Sequence, residues 1–118
     1  MEIFTEIRDS ALLVSLSGEL DHHSAAHVRE VVDAAYLDSG AKHIIFCLER
    51  LSFMDSAGIG VIMGRYNKAK ENGGIVFVTA CGEYVKRILS MAGIFTIAQY
   101  RDTAEQALSC CALSGAAE

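Results

Sequence analysis

A single serine, Ser56, lies where an apolar extended segment gives way to a helical pattern, with Asp55 before it and the small residues Ala57, Gly58 and Gly60 after it. A helix begins with backbone N–H groups that lack intrahelical partners and with the positive end of the peptide dipole. A phosphate added to Ser56 would meet donors and a favourable field there. Because glycines carry no Cβ, a partner protein could approach the backbone closely at Gly58 and Gly60. The segment therefore predicts a modification switch and not a catalytic centre.

The residue types alone also allow a simpler interpretation of this segment. Serine and aspartate cap helix starts routinely, which stabilises a helix by about 1 kcal/mol. Asp21 follows Gly18, Glu19 and Leu20 in a predicted loop, where an aspartate is more often a turn former than a functional group. On spacing alone, capping and switching both remain open.

Motifs for catalysis and for metal binding are weak in this chain. A serine hydrolase elbow would need glycine where Met54 stands, and the glycines after Ser56 miss the dinucleotide-binding spacing by one position. His23 and His27 are four residues apart, which suits two ligands on one helical face, but no third ligand follows at a suitable spacing. We therefore expect no catalytic residue, no cofactor and no metal.

The composition indicates one globular domain of 118 residues, with 52% hydrophobic residues and a net charge of −5. That charge disfavours nucleic acid as a partner, since binding it needs a basic surface. Arg65, Lys68 and Lys70 are expected to form a solvated helix face. No stretch approaches the roughly 20 apolar residues of a membrane span, and the N-terminus lacks the features of a signal peptide. The four cysteines form no C-x-x-C pair. We expect a cytoplasmic protein with reduced thiols.

The spacing of apolar residues predicts an α/β fold with the order ββαβαβαβα, a mixed and mostly parallel five-stranded sheet, and four helices. Ser24 and Asp102 are expected to cap the first and last helices. The inward stripe of the second helix is expected to contain Ile59, Ile62, Met63 and Tyr66. The predicted strands cover residues 2–8, 11–17, 43–48, 75–79 and 95–100, and the predicted helices end near residues 37, 71, 91 and 113.

The stretch 55–66, DSAGIGVIMGRY, together with GELD at 18–21, resembles the anti-sigma factor antagonist family of STAS-domain proteins. The resemblance is to the antagonists that control the sporulation sigma factor F in particular. It runs from about Leu13 to the C-terminal helix. It implies one STAS domain over residues 1–113, and we expect residues 114–118 to form a frayed tail.

The resemblance also implies a function for Ser56, since this family is phosphorylated on the serine directly after the aspartate. Many relatives carry a second serine where this chain has Ala57, so Ser56 is the acceptor that the motif offers. Asp21 is expected near Ser56 on the surface that docks the partner, together with Asp55, Ala57, Gly58 and Gly60.

The partner implied by the resemblance is an anti-sigma factor that is also a serine kinase and carries the ATP. The unphosphorylated antagonist would bind it and free the sigma factor, and a separate serine phosphatase would reverse the modification. The antagonist would be a monomer when free. One alternative is a sensory STAS module that binds a small ligand in a polar pocket, and a remote third option is an enzyme that uses Asp21, His22 and Ser56.

Overall fold

The computed structural model describes the backbone of residues 1–116 and the side chains of residues 1–112. It confirms the predicted fold class and the order ββαβαβαβα, and adds a short 3-10 helix at Ile94–Thr96. The strands are β1 (Glu2–Arg8), β2 (Ala11–Leu20), β3 (His43–Met54), β4 (Val76–Thr79) and β5 (Gln99–Arg101), and the helices are α1 (Ala25–Ser39), α2 (Ser56–Glu71), α3 (Glu83–Met91) and α4 (Ala104–Ala116).

The five strands lie side by side in chain order. Strand β1 is antiparallel to β2 through a tight hairpin, and every later neighbouring pair is parallel. Parallel neighbours need crossover connections, and these are nearly always right-handed. Because each crossover steps in the same direction across the sheet, α1, α2 and α3 fall on one face. Helix α4 follows the last strand and packs on the other face, against apolar residues of β2, β3 and β4.

The central strands are buried on both faces, as their nearly continuous apolar runs predict. The larger core lies under α1, α2 and α3, and a smaller one lies under α4. Alternation along each strand divides the side chains between the two cores. Leu12, Val14, Ile44, Phe46 and Val78 face the larger core, whereas Leu13, Ile45 and Phe77 face the smaller one.

Strands β2 and β3 extend three and six residues beyond their predicted ends, to Leu20 and Met54. Gly18 does not end β2, as its φ of 112° allows the strand to continue through an irregular stretch. Register shifts between Ser15 and Ser17 and between Gly18 and Glu19 accompany this extension. The added pairing ends with Leu20 opposite Met54. The longer strands bring Asp21, which follows β2, and Asp55, which follows β3, to the same edge of the sheet.

The C-terminal third differs from expectation in three places. Phe95 and Thr96 lie in the 3-10 helix that follows Gly93 and not in a strand, so β5 is shorter and begins at Gln99. The cap of α4 is Thr103 and not Asp102, because the Thr103 hydroxyl accepts a hydrogen bond from the N–H of Gln106 at 3.1 Å. Helix α4 continues to Ala116, past the predicted end at 113, and residues 117–118 of the predicted tail lie outside the described residues.

The inward stripe of α2 also differs from the predicted one. Ile62 is buried as expected, but Met63 is 44% exposed and Arg65 is only 4% exposed. The buried positions are Gly58, Val61, Ile62, Arg65 and Ala69, which follow the helical repeat from a start at Gly58.

The expectation of a solvated basic face is therefore wrong for Arg65. Its Nε lies 3.0 Å from Asp33 Oδ1 of α1, and Lys68 Nζ lies 3.8 Å from the other carboxylate oxygen. Burial lowers the pKa of Arg65 although the carboxylate of Asp33 opposes that effect. The ion pair joins α1, which Asp21 precedes, to α2, which Asp55 precedes.

Candidate functional site at the start of helix α2

The ends of β2 and β3 bring Asp21 and Asp55 to the same edge of the sheet. Leu20 and Met54 are paired in register, and each is followed directly by one of the two aspartates. The backbone N–H of Asp55 donates to the carbonyl of Leu20 at 3.3 Å, which extends the pairing by one step. The carboxyl ends of neighbouring parallel strands are the usual position for functional groups in such sheets.

Asp55 caps helix α2 with its side chain. Its Oδ1 accepts hydrogen bonds from the backbone N–H groups of Ala57 at 2.9 Å and Gly58 at 3.3 Å. Its φ of −120° and ψ of −169° are extended, as expected for a residue that precedes a helix. The capping role left open by the sequence is therefore filled by Asp55, and the donors expected to serve a phosphate on Ser56 are already occupied at these two positions.

Asp21 organises the turn that leads into α1. Its Oδ1 accepts from the N–H groups of His23 at 2.9 Å and Ser24 at 3.1 Å. Burial acts to raise the pKa of Asp21, but these two backbone donors, together with the charges of His23 and His22, hold the pKa below its ordinary value. The Ser24 hydroxyl does not cap α1 as predicted; it donates to the carbonyl of Glu19 at 2.8 Å.

His22 connects this turn to the start of α2. Its backbone N–H donates to Asp55 Oδ2 at 3.2 Å, and its ring Nδ1 lies 3.7 Å from the same oxygen. The rings of His22 and His23 lie against each other with centroids 3.9 Å apart. Within residues 1–112, no direct hydrogen bond joins Asp21 to Ser56, so the connection between the two segments runs through His22 and Asp55. The sequence predicts only a surface or structural role for His22, since only the pairing of Leu20 with Met54 brings its backbone into contact with Asp55.

Ser56 occupies the first position of α2 and is exposed. Gly60 lies one turn later on the same face, and a Cβ built on it would meet nothing within 4 Å. Ala57 is half-buried against the larger core. The predicted open approach to Gly58 is wrong, because Gly58 is buried and packs against Leu20 and Met54.

Exposed apolar side chains lie on the elements around Ser56. Met63, two turns along α2 from Ser56, is 44% exposed. Tyr84 at the start of α3 is 51% exposed, and its ring stacks on that of Phe53 near the end of β3, with centroids 6.2 Å apart. Apolar surface of this kind beside a polar site is typical of a protein interaction surface.

Comparison with known proteins agrees with this fold and shows the family. Residues 2–107 match the family model of the STAS domain. The anti-sigma F factor antagonist of Paenibacillus polymyxa is 40% identical over 109 residues, which cover 92% of this chain and 93% of the relative. The chain therefore belongs to the STAS-domain family of anti-sigma factor antagonists, which confirms the resemblance inferred from its motifs. Proteins of that family are regulatory and not enzymatic.

Two solved structures carry the same fold. One is the anti-sigma factor antagonist SpoIIAA in its unphosphorylated form, with a TM-score of 0.73 and 25% identity, covering 94% of this chain and 97% of that one. The other is the Bacillus cell fate determinant SpoIIAA in the phosphorylated form, with a TM-score of 0.73 and 26% identity, covering 93% and 99%. One protein of this fold has thus been observed in both states.

The structure also has a cleft away from the start of α2. A cleft of about 630 Å³ runs between the C-terminal parts of α1 and α2. Its polar groups include Asp33 and Lys68 of the ion-pair cluster and the hydroxyl of Tyr36, which donates to the carbonyl of Lys42 at 2.7 Å. Over the described part of the chain, no group of three His, Cys, Asp or Glu side chains could hold a metal, and no helix is long and apolar enough to cross a membrane.

Proposed function

We propose that this protein is a partner switch in transcription controlled by phosphorylation of Ser56. Unphosphorylated, it binds a cytoplasmic anti-sigma factor and frees the sigma factor that the latter holds. The anti-sigma factor is a serine kinase that carries the ATP and modifies Ser56, which releases this protein. A serine phosphatase resets it. The protein itself performs no catalysis and is a monomer when free.

The observation that carries this proposal is the exposed residue Ser56 on the first turn of α2, at the edge where both strand ends meet. A kinase needs an accessible acceptor, and the exposed apolar side chain of Met63 lies two turns along the same helix. The relative from Paenibacillus polymyxa is named for antagonism of an anti-sigma factor. SpoIIAA, which shares the fold, has been solved in both a phosphorylated and an unphosphorylated form.

The electrostatics of the site indicate how one phosphate can release a partner without unfolding the domain. A phosphoserine adds a charge of about −1.5 to −2 at neutral pH. An unpaired anion buried in an interface costs several kcal/mol. A loss of about 4 kcal/mol converts a micromolar complex into a millimolar one. Asp21 and Asp55 already give this surface negative charge, so the added phosphate increases repulsion there.

The phosphorylation test is incubation with ATP and a candidate anti-sigma kinase, followed by mass spectrometry to locate any added phosphate. We expect one phosphate on Ser56 and none in Ser56→Ala. Ser52 provides a matched control, because it is also exposed and its hydroxyl donates to the carbonyl of Gly18 at 3.1 Å. Ser52→Ala should still accept one phosphate. Phosphate on any other residue, or none at all, would refute the role of Ser56.

The binding test compares the affinities of Ser56→Ala and Ser56→Asp for the same anti-sigma factor. We expect Ser56→Ala to bind with an affinity close to that of the parent and to stay bound in the presence of ATP. Ser56→Asp should bind at least tenfold more weakly, because even a single charge at this position is costly in the complex. If the parent, Ser56→Ala and Ser56→Asp bound the anti-sigma factor equally and were released equally, Ser56 would have no role in the switch.

The cleft between α1 and α2 supports one alternative, a sensory module that binds a small ligand. Its volume of about 630 Å³ is within the usual range of ligand sites, and it contains charged and hydroxyl groups. Lys68→Ala removes a charge from this cleft and leaves Ser56 untouched. If this variant abolishes partner switching while a small molecule binds only to the parent, the ligand module is the better description.

A further inference from the structure

The start of α2 holds two negative groups and little positive charge. The carboxylate of Asp55 is committed to the N–H groups of Ala57 and Gly58, and Asp21 is committed to its own turn. The ion pairs that Arg8, Arg65 and Lys68 form are with Glu6 or Asp33, and not with either of these aspartates. A phosphate on Ser56 would thus enter a surface where the helix donors are partly occupied and like charge is near.

The side chains at this edge that can become cations include the imidazoles of His22 and His23, and that of His22 lies beside Asp55. His22 is 72% exposed, and its Nδ1 lies 3.7 Å from Asp55 Oδ2. Its backbone is held by the hydrogen bond to the same oxygen, so the ring stays beside the residue that precedes Ser56. Histidine changes its charge near neutral pH, and the second proton of a phosphoserine leaves in the same range, at a pKa of about 6.

We propose that His22 is the counter-ion of phosphorylated Ser56. The imidazolium pairs with the phosphate dianion and turns away from Asp55, so the phosphate acts on the turn of residues 21–24 as well as on α2. The turn that follows β2 and the helix that follows β3 then both respond to the phosphate. This inference rests on the proposed phosphorylation of Ser56 and names the group that responds to it.

The charged and titratable groups that face His22 come from two directions. Asp55 faces it from the junction of β3 and α2, whereas Asp21 and the ring of His23 face it from its own turn. The two carboxylates are opposite in charge to an imidazolium at His22, and a protonated His23 would carry like charge. Within residues 1–112, His23 forms no hydrogen bond or ion pair with Asp55, so it would contribute less than His22.

The test uses full-length protein with phosphoserine incorporated at position 56 during translation, so it does not depend on any kinase. Titration followed by phosphorus NMR gives the second pKa of the phosphoserine in the parent and in His22→Asn. Asparagine retains the backbone N–H that holds Asp55 but cannot carry a charge. We expect the pKa of the phosphate to be higher in His22→Asn by about 0.5, roughly a threefold change in proton affinity. His27→Asn, one helical turn beyond His23, is the matched control and should leave the phosphate unchanged.

A second measurement follows the imidazoles themselves by proton–nitrogen NMR. The ring of His22 should remain protonated to a higher pH in the phosphorylated protein than in the unphosphorylated one, whereas that of His27 should not respond. Equal phosphate titrations in the parent and His22→Asn, or an unchanged His22 ring, would overturn the inference. Failure of a kinase to modify Ser56 would instead count against the proposed function, because this experiment introduces the phosphate without a kinase.

Discussion

Gly58→Ala should destabilise the fold although it replaces glycine by alanine inside a helix. Glycine is disfavoured in helices by roughly 0.5–1 kcal/mol relative to alanine, so this change is normally favourable. At position 58 the new Cβ would lie 2.8 Å from the carbonyl oxygen of Leu20, 2.8 Å from Met54 Cγ and 2.9 Å from Leu20 Cγ. All three distances are shorter than van der Waals contact, and one of the atoms belongs to the backbone, which cannot move aside as a side chain can.

The magnitude follows from these opposing effects. Overpacking a close contact typically costs about 1–3 kcal/mol, and the helical preference returns less than 1 kcal/mol of that. We therefore expect Gly58→Ala to lower the free energy of unfolding by about 1–2 kcal/mol. The strain falls on the end of β2 and on the start of α2, so the pairing of Leu20 with Met54 is where the structure should adjust.

Gly60→Ala is the matched control, since it makes the same chemical change two residues later in the same helix. A Cβ there meets nothing within 4 Å, so only the helical preference should act. We expect this variant to be more stable than the parent by roughly 0.5–1 kcal/mol. If partners do approach the backbone at Gly60, the same variant should also bind the anti-sigma factor more weakly.

Urea denaturation followed by circular dichroism measures both variants under the same conditions. The two free energies of unfolding should lie on opposite sides of the parent value, with unchanged denaturant slopes. If Gly58→Ala were as stable as Gly60→Ala, the close approach of α2 to Leu20 would not constrain position 58, and the packing explanation would be wrong.

Three further predictions concern the groups that hold the site. Asp55→Ala removes the cap of α2 and the acceptor for His22, so the free energy of unfolding should fall by about 1–2 kcal/mol in urea denaturation, whereas Asp55→Asn should retain most of it. Arg65→Met removes the nearer of the two cations that contact Asp33 and leaves only Lys68 at 3.8 Å, so it should destabilise by about 1–3 kcal/mol, a loss that Asp33→Asn in the same chain should partly restore. Asp21→Asn should be less stable than the parent above pH 3.8, and the difference should disappear as the pH falls through the lowered pKa of Asp21, which pH-dependent thermal melts can measure.

Much of the fold could be predicted from the sequence because its apolar periodicity is strong. The buried runs in β3 and β4 and the spacing of α1, α2 and α3 gave the correct element types and order. Ser56 at the start of α2 was also placed correctly, since the change from a period of two to a helical period occurs there. Local composition is enough for features of this kind.

The errors arose where contacts distant in sequence decide the structure. The added pairing between β2 and β3 follows a polar, glycine-containing stretch that reads locally as a loop. The local sequence predicts a solvated Arg65, and only Asp33 on the neighbouring helix explains its burial. The local sequence predicts that a partner can approach the backbone at Gly58, but Leu20 at the end of β2 occupies that space. The contact of His22 with Asp55 could not be predicted for the same reason, since it depends on the register of two parallel strands.

The cap formed by Asp55 determines how a phosphate on Ser56 would be presented. At an uncapped helix start, free N–H groups would bind the anion and partly neutralise it within the domain. Here Asp55 holds the N–H groups of Ala57 and Gly58, so the phosphate has fewer internal donors and a carboxylate beside it. More of its charge is then available to repel a docked partner. Asp55 would therefore support the switch in two ways. It stabilises the helix in the unphosphorylated state, and it occupies N–H groups that would otherwise bind the phosphate.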